Sequence, residues 1–264
     1  MLYRSVIEGE QAMIEIKNAL KKYGSKTVVD RVSVTLEEGK LTAFIGSNGA
    51  GKSTLISMAS RLLKMNGGKI YIDGTEMQQW SHEQLARQIS ILRQSNHLSL
   101  RLTIRELVSF GRYPYSQGKL TDEDYVKINQ ALDYMGIASI QDSFLDELSG
   151  GQRQMAYIAM VIAQDTKYIF LDEPLNNLDM KHSVKIMKIL RKLVDEKDKT
   201  VVIVIHDINF VSCYADNIVA LKNGRLVKSG PTAHIINSEV LAEIYDMHID
   251  ISRIRGNSIC IYYT

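Results

Sequence analysis

The sequence predicts an α/β fold with a mostly parallel sheet, an N-terminal antiparallel β subdomain and an inserted α-helical subdomain. Three observations carry this. First, the apolar run Leu41-Thr42-Ala43-Phe44-Ile45 leads through a Gly-rich loop into the helical pattern Thr54-Leu55-Ile56-Ser57-Met58-Ala59. Second, the apolar runs Tyr168 to Leu171 and Thr200 to Ile205 flank a helical stretch from Met180 to Glu196. Apolar runs separated by helices mark buried parallel strands. Third, Ala12 to Ile16 and Val32 to Leu36 alternate apolar and polar residues. That alternation marks half-buried antiparallel strands.

The remaining elements follow in order. Glu37-Glu38-Gly39-Lys40 is a turn, and Lys69 to Gly74 a short strand and turn. Ile89 to Arg93 is another strand. From Thr103 to about Gln164 the chain is mostly helical. Thr103-Ile104-Arg105-Glu106 and Thr121-Asp122-Glu123-Asp124 have the spacing of capping boxes, which start helices. Asn223-Gly224 lies between Ile218 to Leu221 and Arg225 to Val227, a hairpin signal. No repeat or linker divides the chain, so residues 1–264 are expected to form one domain, with residues 96–164 as its helical insert.

Bulk properties narrow the class. A chain of 264 residues buries a sizeable core. A net charge of +2 implies no polyelectrolyte partner, so nucleic acid is not expected to be one. Cys213 and Cys260 lie far apart without a C-x-x-C pattern, which fits a reducing compartment and neither a disulfide framework nor a zinc site. Met1 to Glu8 lacks the apolar run of a signal peptide. No apolar run reaches the length of about 18 residues that crosses a bilayer.

The loop Gly46-Ser47-Asn48-Gly49-Ala50-Gly51-Lys52-Ser53-Thr54 fits G-x-x-x-x-G-K-[ST], a phosphate cradle. A helix N-terminus offers free N–H groups and the positive end of its dipole. Lys52 can reach the terminal phosphates, and the Ser53 hydroxyl can ligate Mg²⁺. Asp172 and Glu173 end the apolar strand from Tyr168, where ligands of open α/β sheets sit. Asp172 is placed to hold Mg²⁺, and Glu173 to polarise an attacking water. Leu148-Ser149-Gly150-Gly151-Gln152 precedes a long helix and makes a second anion site. Two cradles in one chain suggest a nucleotide sandwiched between two chains.

With these motifs in place, the chain resembles the ATP-binding-cassette family over essentially its whole length. Gly46 to Thr54 matches Walker A, Ile169 to Glu173 Walker B, and Leu148 to Gln152 the signature motif. The resemblance implies a P-loop ATPase with ATP and Mg²⁺ as cofactors. It implies further roles by position. Tyr23 stacks on adenine. Gln94 acts beside the metal and the attacking water. His206 is the switch histidine, and Asp179 belongs to the D-loop. One departure stands out: Asn176-Asn177-Leu178-Asp179 replaces the family's frequent Ser-Ala-Leu-Asp.

The resemblance also implies partners: a second copy arranged head to tail, integral-membrane permease subunits and, indirectly, an extracytoplasmic substrate-binding protein. The chain is then expected at the cytoplasmic face of the membrane. Gly111-Arg112-Tyr113-Pro114 and the stretch Gly230 to Tyr245 are similar to the ferric-siderophore, haem and cobalamin importer ATPases. Ferric siderophore is the expected cargo. Haem, cobalamin or another nutrient is the alternative, and a cassette ATPase acting on nucleic acid a more distant one.

Overall fold

The structure, a computed structural model, describes residues 13–94 and 100–263. Ala12, at the start of the first expected strand, and the expected start of the insert at Asn96 lie outside the described residues.

Strands β1 (Met13–Tyr23) and β2 (Lys26–Glu37) pair antiparallel. β3 (Leu41–Ile45) then runs into α1 (Lys52–Ala59). β4 (Gly67–Ile72) and β5 (Thr75–Glu76) complete a four-stranded sheet ordered β2-β1-β4-β5. The alternation read in the sequence becomes register. Ile14 pairs with Leu36 on one side and Ile72 on the other, and Ile16 with Val34 and Ile70. All six are buried. One apolar face of three strands therefore packs inward, as cross-strand pairing favours.

After α2 (His82–Ala86) comes β6 (Ile89–Leu92). Helices α3 (Ile104–Ser109), α4 (Tyr113–Ser116), α5 (Asp122–Met135) and α6 (Gly150–Ala163) follow. The chain then returns to the main sheet at β7 (Tyr168–Asp172), α7 (Met180–Lys197), β8 (Thr200–Val204) and α8 (Ile208–Tyr214). β9 (Asn217–Lys222) and β10 (Arg225–Pro231) form the expected hairpin. Its turn residues Asn223 and Gly224 both have positive φ, 51° and 78°, as a type I′ turn demands. Two short helices, α9 (Thr232–Ile235) and α10 (Ser238–Tyr245), and the hairpin β11 (Asp250–Ile254) and β12 (Asn257–Ile261) finish the chain.

The six-stranded sheet has the order β10-β9-β3-β8-β7-β6, parallel except for β10. Its inner strands β3, β7 and β8 are buried throughout, and their alternate residues serve two cores. Ile169, Leu171, Val201 and Ile203 face the core shared with the helices. Phe170, Val202 and Val204 face the core shared with α1 and the antiparallel sheet. Period-two geometry explains why these strands read as unbroken apolar runs.

Both expected capping boxes form, at Thr103/Glu106 and Thr121/Asp124. Arg112 and Asp124 make a buried ion pair at 2.8 Å, and Arg112 also donates to the Ala163 carbonyl at 2.9 Å. This pair ties the start of α5 to the end of α6. A Cβ at Gly111 would lie 2.1 Å from the Met160 carbonyl oxygen. Gly111 and Arg112 are thus packing residues, while Phe110 and Tyr113 are exposed. Pro114 lies in the first turn of α4, where its missing N–H is harmless.

Candidate active site

The phosphate loop lies between β3 and α1. α1 begins at Lys52, earlier than the apolar pattern from Thr54 suggested, because Gly51 turns the chain in a left-handed conformation at φ 98°. A Cβ there would meet the Val28 carbonyl oxygen at 2.7 Å. At Gly46 a Cβ would fall 2.0 Å from the Leu221 carbonyl oxygen. Only glycine fits either position. No side chain caps the N-terminus of α1, so its first N–H groups remain for an anion. Buried Lys52 curls over the loop and donates to the carbonyls of Gly46 at 2.8 Å and Ser47 at 3.0 Å. Burial lowers its pKa, and the carboxylates of Glu173 and Asp172 oppose that shift.

Asp172 ends β7 beside this helix. Ser53 Oγ donates to Asp172 Oδ1 at 2.8 Å. Burial pushes the Asp172 carboxyl above its ordinary range, against the pull of the Ser53 hydrogen bond. Two oxygen donors at the edge of a cleft suit a hard divalent cation. The cleft has a volume of about 340 Å³, and its lining includes Tyr23, Ser53, Thr54, Arg93, Gln94 and Asp172. Tyr23 leaves its ring half exposed there, with Lys21 Nζ 5.0 Å from the ring centroid.

Glu173 follows at φ 52°, an unusual conformation for a non-glycine residue. Its carboxylate gathers three loops. Gln94 Nε2 donates to Oε2 at 2.6 Å, and His206 Nε2 lies 2.8 Å from Oε1. Asn176 Nδ2 also donates to Oε2. Gln94 follows β6 and His206 follows β8, the two strands that flank β7 in the sheet. Parallel strands thus deliver all three side chains to one edge.

The signature segment lies apart. Ser149 caps α6 by accepting from the Gln152 backbone N–H, and Gln152 Oε1 accepts from the Ser149 N–H. None of residues 149–152 is among the described residues that line the cleft. Asp179 caps α7 by accepting from the His182 backbone N–H at 2.8 Å. The structure therefore brings Tyr23, the Gly46–Thr54 loop, Gln94, Asp172, Glu173 and His206 together. It leaves Ser149, Gly150, Gly151, Gln152 and Asp179 outside the cleft lining, with Ser149, Gly150 and Asp179 exposed and Gly151 buried. It adds Arg93 to the cleft lining, Asn176 beside Glu173 and His182 beside Asp179. Asn176 stood out in the sequence only as a departure from the family's pattern, and a lone Arg or His carried no signal there.

This fold and this edge define a cassette-type ATPase. The family model described as ABC transporter matches residues 29–176, and the chain belongs to that family. As an ABC ATPase it binds and hydrolyses ATP. The chain is 62% identical over 252 residues to the petrobactin import ATP-binding protein YclP of Bacillus subtilis (strain 168), covering 96% of this chain and 100% of that protein. It is 42% identical over 250 residues to the petrobactin import ATP-binding protein FatE of Bacillus anthracis, covering 95% and 100%. It is 38% identical over 227 residues to the ferric enterobactin transport ATP-binding protein FepC of Escherichia coli (strain K12), covering 85% and 84%. Among solved structures, the dimeric bacterial ABC transporter cassette MJ0796 superposes with a TM-score of 0.75 at 30% identity, covering 83% of this chain and 99% of that one. The ADP conformation of the cassette MJ1267 has a TM-score of 0.79 at 24% identity, over 90% and 99%, and shows the shared fold. The MJ0796 cassette is dimeric in a second solved structure as well, a post-hydrolysis state bound to ADP and Pi, at 30% identity and a TM-score of 0.74.

Proposed function

We propose that this chain is the ATP-hydrolysing subunit of a ferric-siderophore importer, working as a head-to-tail homodimer docked on a separate permease at the cytoplasmic face of the membrane. The observation that carries the ATPase mechanism is the carboxylate of Glu173, held by Gln94 and His206 at the rim of the phosphate loop. The identity of 62% to a petrobactin import protein over nearly the whole chain supports the cargo. No helix among the described residues is long and apolar enough to cross a membrane, which agrees with a peripheral subunit.

In this reading the Gly46–Thr54 loop and Lys52 hold the phosphates, and the exposed Tyr23 ring receives the adenine. The glycine cradle fits that use, since a Cβ at Gly46 or Gly51 would collide with backbone. Ser53 and Asp172 would hold Mg²⁺, with Gln94 beside them; their oxygen donors suit it. When bound there, Mg²⁺ neutralises charge on the phosphate oxygens. Glu173 orients and polarises the attacking water. His206 holds the Glu173 carboxylate and faces the terminal phosphate. Ser149, Gly150, Gly151 and Gln152 serve the nucleotide of the opposite copy, with Asp179 at the same interface. That none of them is among the described residues lining the cleft of their own chain supports a half-site.

The exposed Phe110 and Tyr113 offer apolar surface to a permease helix, on the helical segment that joins Gln94 to the signature. Closure on ATP then moves that segment as a body. The test deletes the gene and measures uptake of labelled ferric siderophores, haem and cobalamin under iron limitation. A selective loss of siderophore uptake is expected. Normal uptake of all three, with a defect in another nutrient, refutes the cargo.

A further inference from the structure

The signature segment and the loop after Glu173 meet at His182. We infer that His182 is a positioning residue that locks Ser149–Gly151 to the Asp179 loop, so that both meet the partner copy as one unit. This rests on the half-site reading above.

The Asp179 carboxylate grips His182 twice. Oδ1 accepts the backbone N–H at 2.8 Å, and Oδ2 lies 2.8 Å from ring Nδ1. Backbone and ring are therefore oriented by the same group. The same contacts, the backbone hydrogen bond first, hold the Asp179 carboxyl below its ordinary range. So oriented, the ring lies against the signature glycine. A Cβ at Gly151 would stand 2.8 Å from both Cγ and Cδ2 and 3.0 Å from Nδ1. The ring occupies the space that any side chain at position 151 would need. Gly151 has no positive φ, so the close approach, and not backbone conformation, demands glycine there.

The backbone extends the link. A Cβ added at Gly150 would come to 3.8 Å from the Asn177 carbonyl oxygen, so the two backbone segments are neighbours. At the other end of the same loop, Asn176 donates to Glu173. Residues 176–182 thus run from the carboxylate that faces one nucleotide to the signature turn that serves the other. A helix-capping aspartate needs only the backbone N–H. The second contact, to the ring, and the glycine opposite it are what a cap does not require. If the ring is lost, Ser149–Gly151 can tilt against the Asp179 loop. Misplacement of about 1 Å in a catalytic constellation can cost about 10²-fold in rate.

The test uses the full-length chain and four readouts: Mg·ATP affinity of the monomer by calorimetry, kcat, melting temperature, and ATP-driven dimerisation in a Glu173→Gln background by sedimentation. For His182→Ala, nucleotide affinity and melting temperature should stay near wild type, while kcat falls about 10- to 100-fold and the dimer weakens. His182→Gln, which can still reach Asp179, should recover part of both. Wild-type kcat and dimerisation in His182→Ala overturn the inference. So does a parallel loss of melting temperature and nucleotide affinity, which marks a role in folding alone. Should His182→Ala not fold, His182→Phe keeps a ring beneath Gly151 without the Asp179 contact, and wild-type kcat in that variant overturns the inference as well. If Glu173→Gln alone forms no ATP-dependent dimer, the half-site reading fails and takes the inference with it. Failure of His182→Ala in a background that does dimerise removes only the role of His182.

Discussion

The carboxylate of Glu173 stands 2.8 Å from the imidazole of His206. The two residues follow adjacent parallel strands, β7 and β8, and the shared edge of the sheet aligns them. Glu173 also adopts a positive φ. Strain of that kind persists only where surrounding contacts enforce it, and Gln94, Asn176 and His206 supply those contacts.

Glu173→Gln keeps the shape of this network and removes its negative charge. Turnover should fall by at least about 10²-fold, the low end for general acid–base contributions. Mg·ATP binding should persist, and an ATP-bound dimer should accumulate. Steady-state hydrolysis together with size-exclusion chromatography checks all three; near-normal turnover rules out the role.

Lys52→Ala removes the cation that closes the loop over Gly46 and Ser47. Phosphate charge is then poorly compensated. Tight Mg·ATP binding should be lost in calorimetry while the fold, followed by circular dichroism, persists. Unchanged affinity contradicts the assignment of the loop.

Asp172 yields a pH prediction. Burial raises its pKa, so the folded protein holds this proton more readily than the unfolded chain. Stability from this group is full below the ordinary aspartate range near about 4 and is lost as pH rises through the raised folded value. Nucleotide-free protein should therefore lose stability across that window. Asp172→Asn, which can still accept from Ser53, should flatten the slope and raise the melting temperature at neutral pH. It should also abolish the stabilisation that Mg·ATP confers. A melting curve of Asp172→Asn with an unchanged pH slope counts against this account.

The shared site is tested by mixing a Lys52→Ala chain with a Ser149→Arg chain. In a head-to-tail dimer one site carries both defects and the other neither. The heterodimer should occlude one nucleotide, whereas neither homodimer should occlude any. Filter-binding stoichiometry decides: a heterodimer that occludes none means the two defects fell in separate sites.

Arg112 and Asp124 form an ion pair with both side chains only 4% exposed. Removing one partner leaves a buried charge uncompensated, which costs about 3–5 kcal/mol. Asp124→Ala should show this in urea unfolding. A loss under about 1 kcal/mol would match an exposed pair instead.

Much of this was legible in the sequence because the chemistry is local. The Gly46–Thr54 loop is a contiguous segment whose glycines, lysine and serine lie within one strand–turn–helix unit. The two capping boxes and the Asn223-Gly224 turn are likewise set by residues a few positions apart. Buried strands announced themselves as apolar runs because both faces of the main sheet are covered. The C-terminal elements α9, α10 and the β11–β12 hairpin escaped this reading, since they are short and rest on tertiary packing more than on periodicity. Gln94, His206 and Tyr23 were legible only through resemblance to the family, as single residues with no spacing of their own. Tertiary structure alone decided that Gln94, Asn176 and His206 converge on one carboxylate, because sheet order, and not sequence distance, sets which strand ends are neighbours. It alone separated the roles within Gly111 to Pro114, burying Arg112 against Asp124 and leaving Tyr113 exposed. And it alone placed the His182 ring against Gly151, since a contact between two helix N-termini depends on how those helices pack, which no pattern along one strand of sequence encodes.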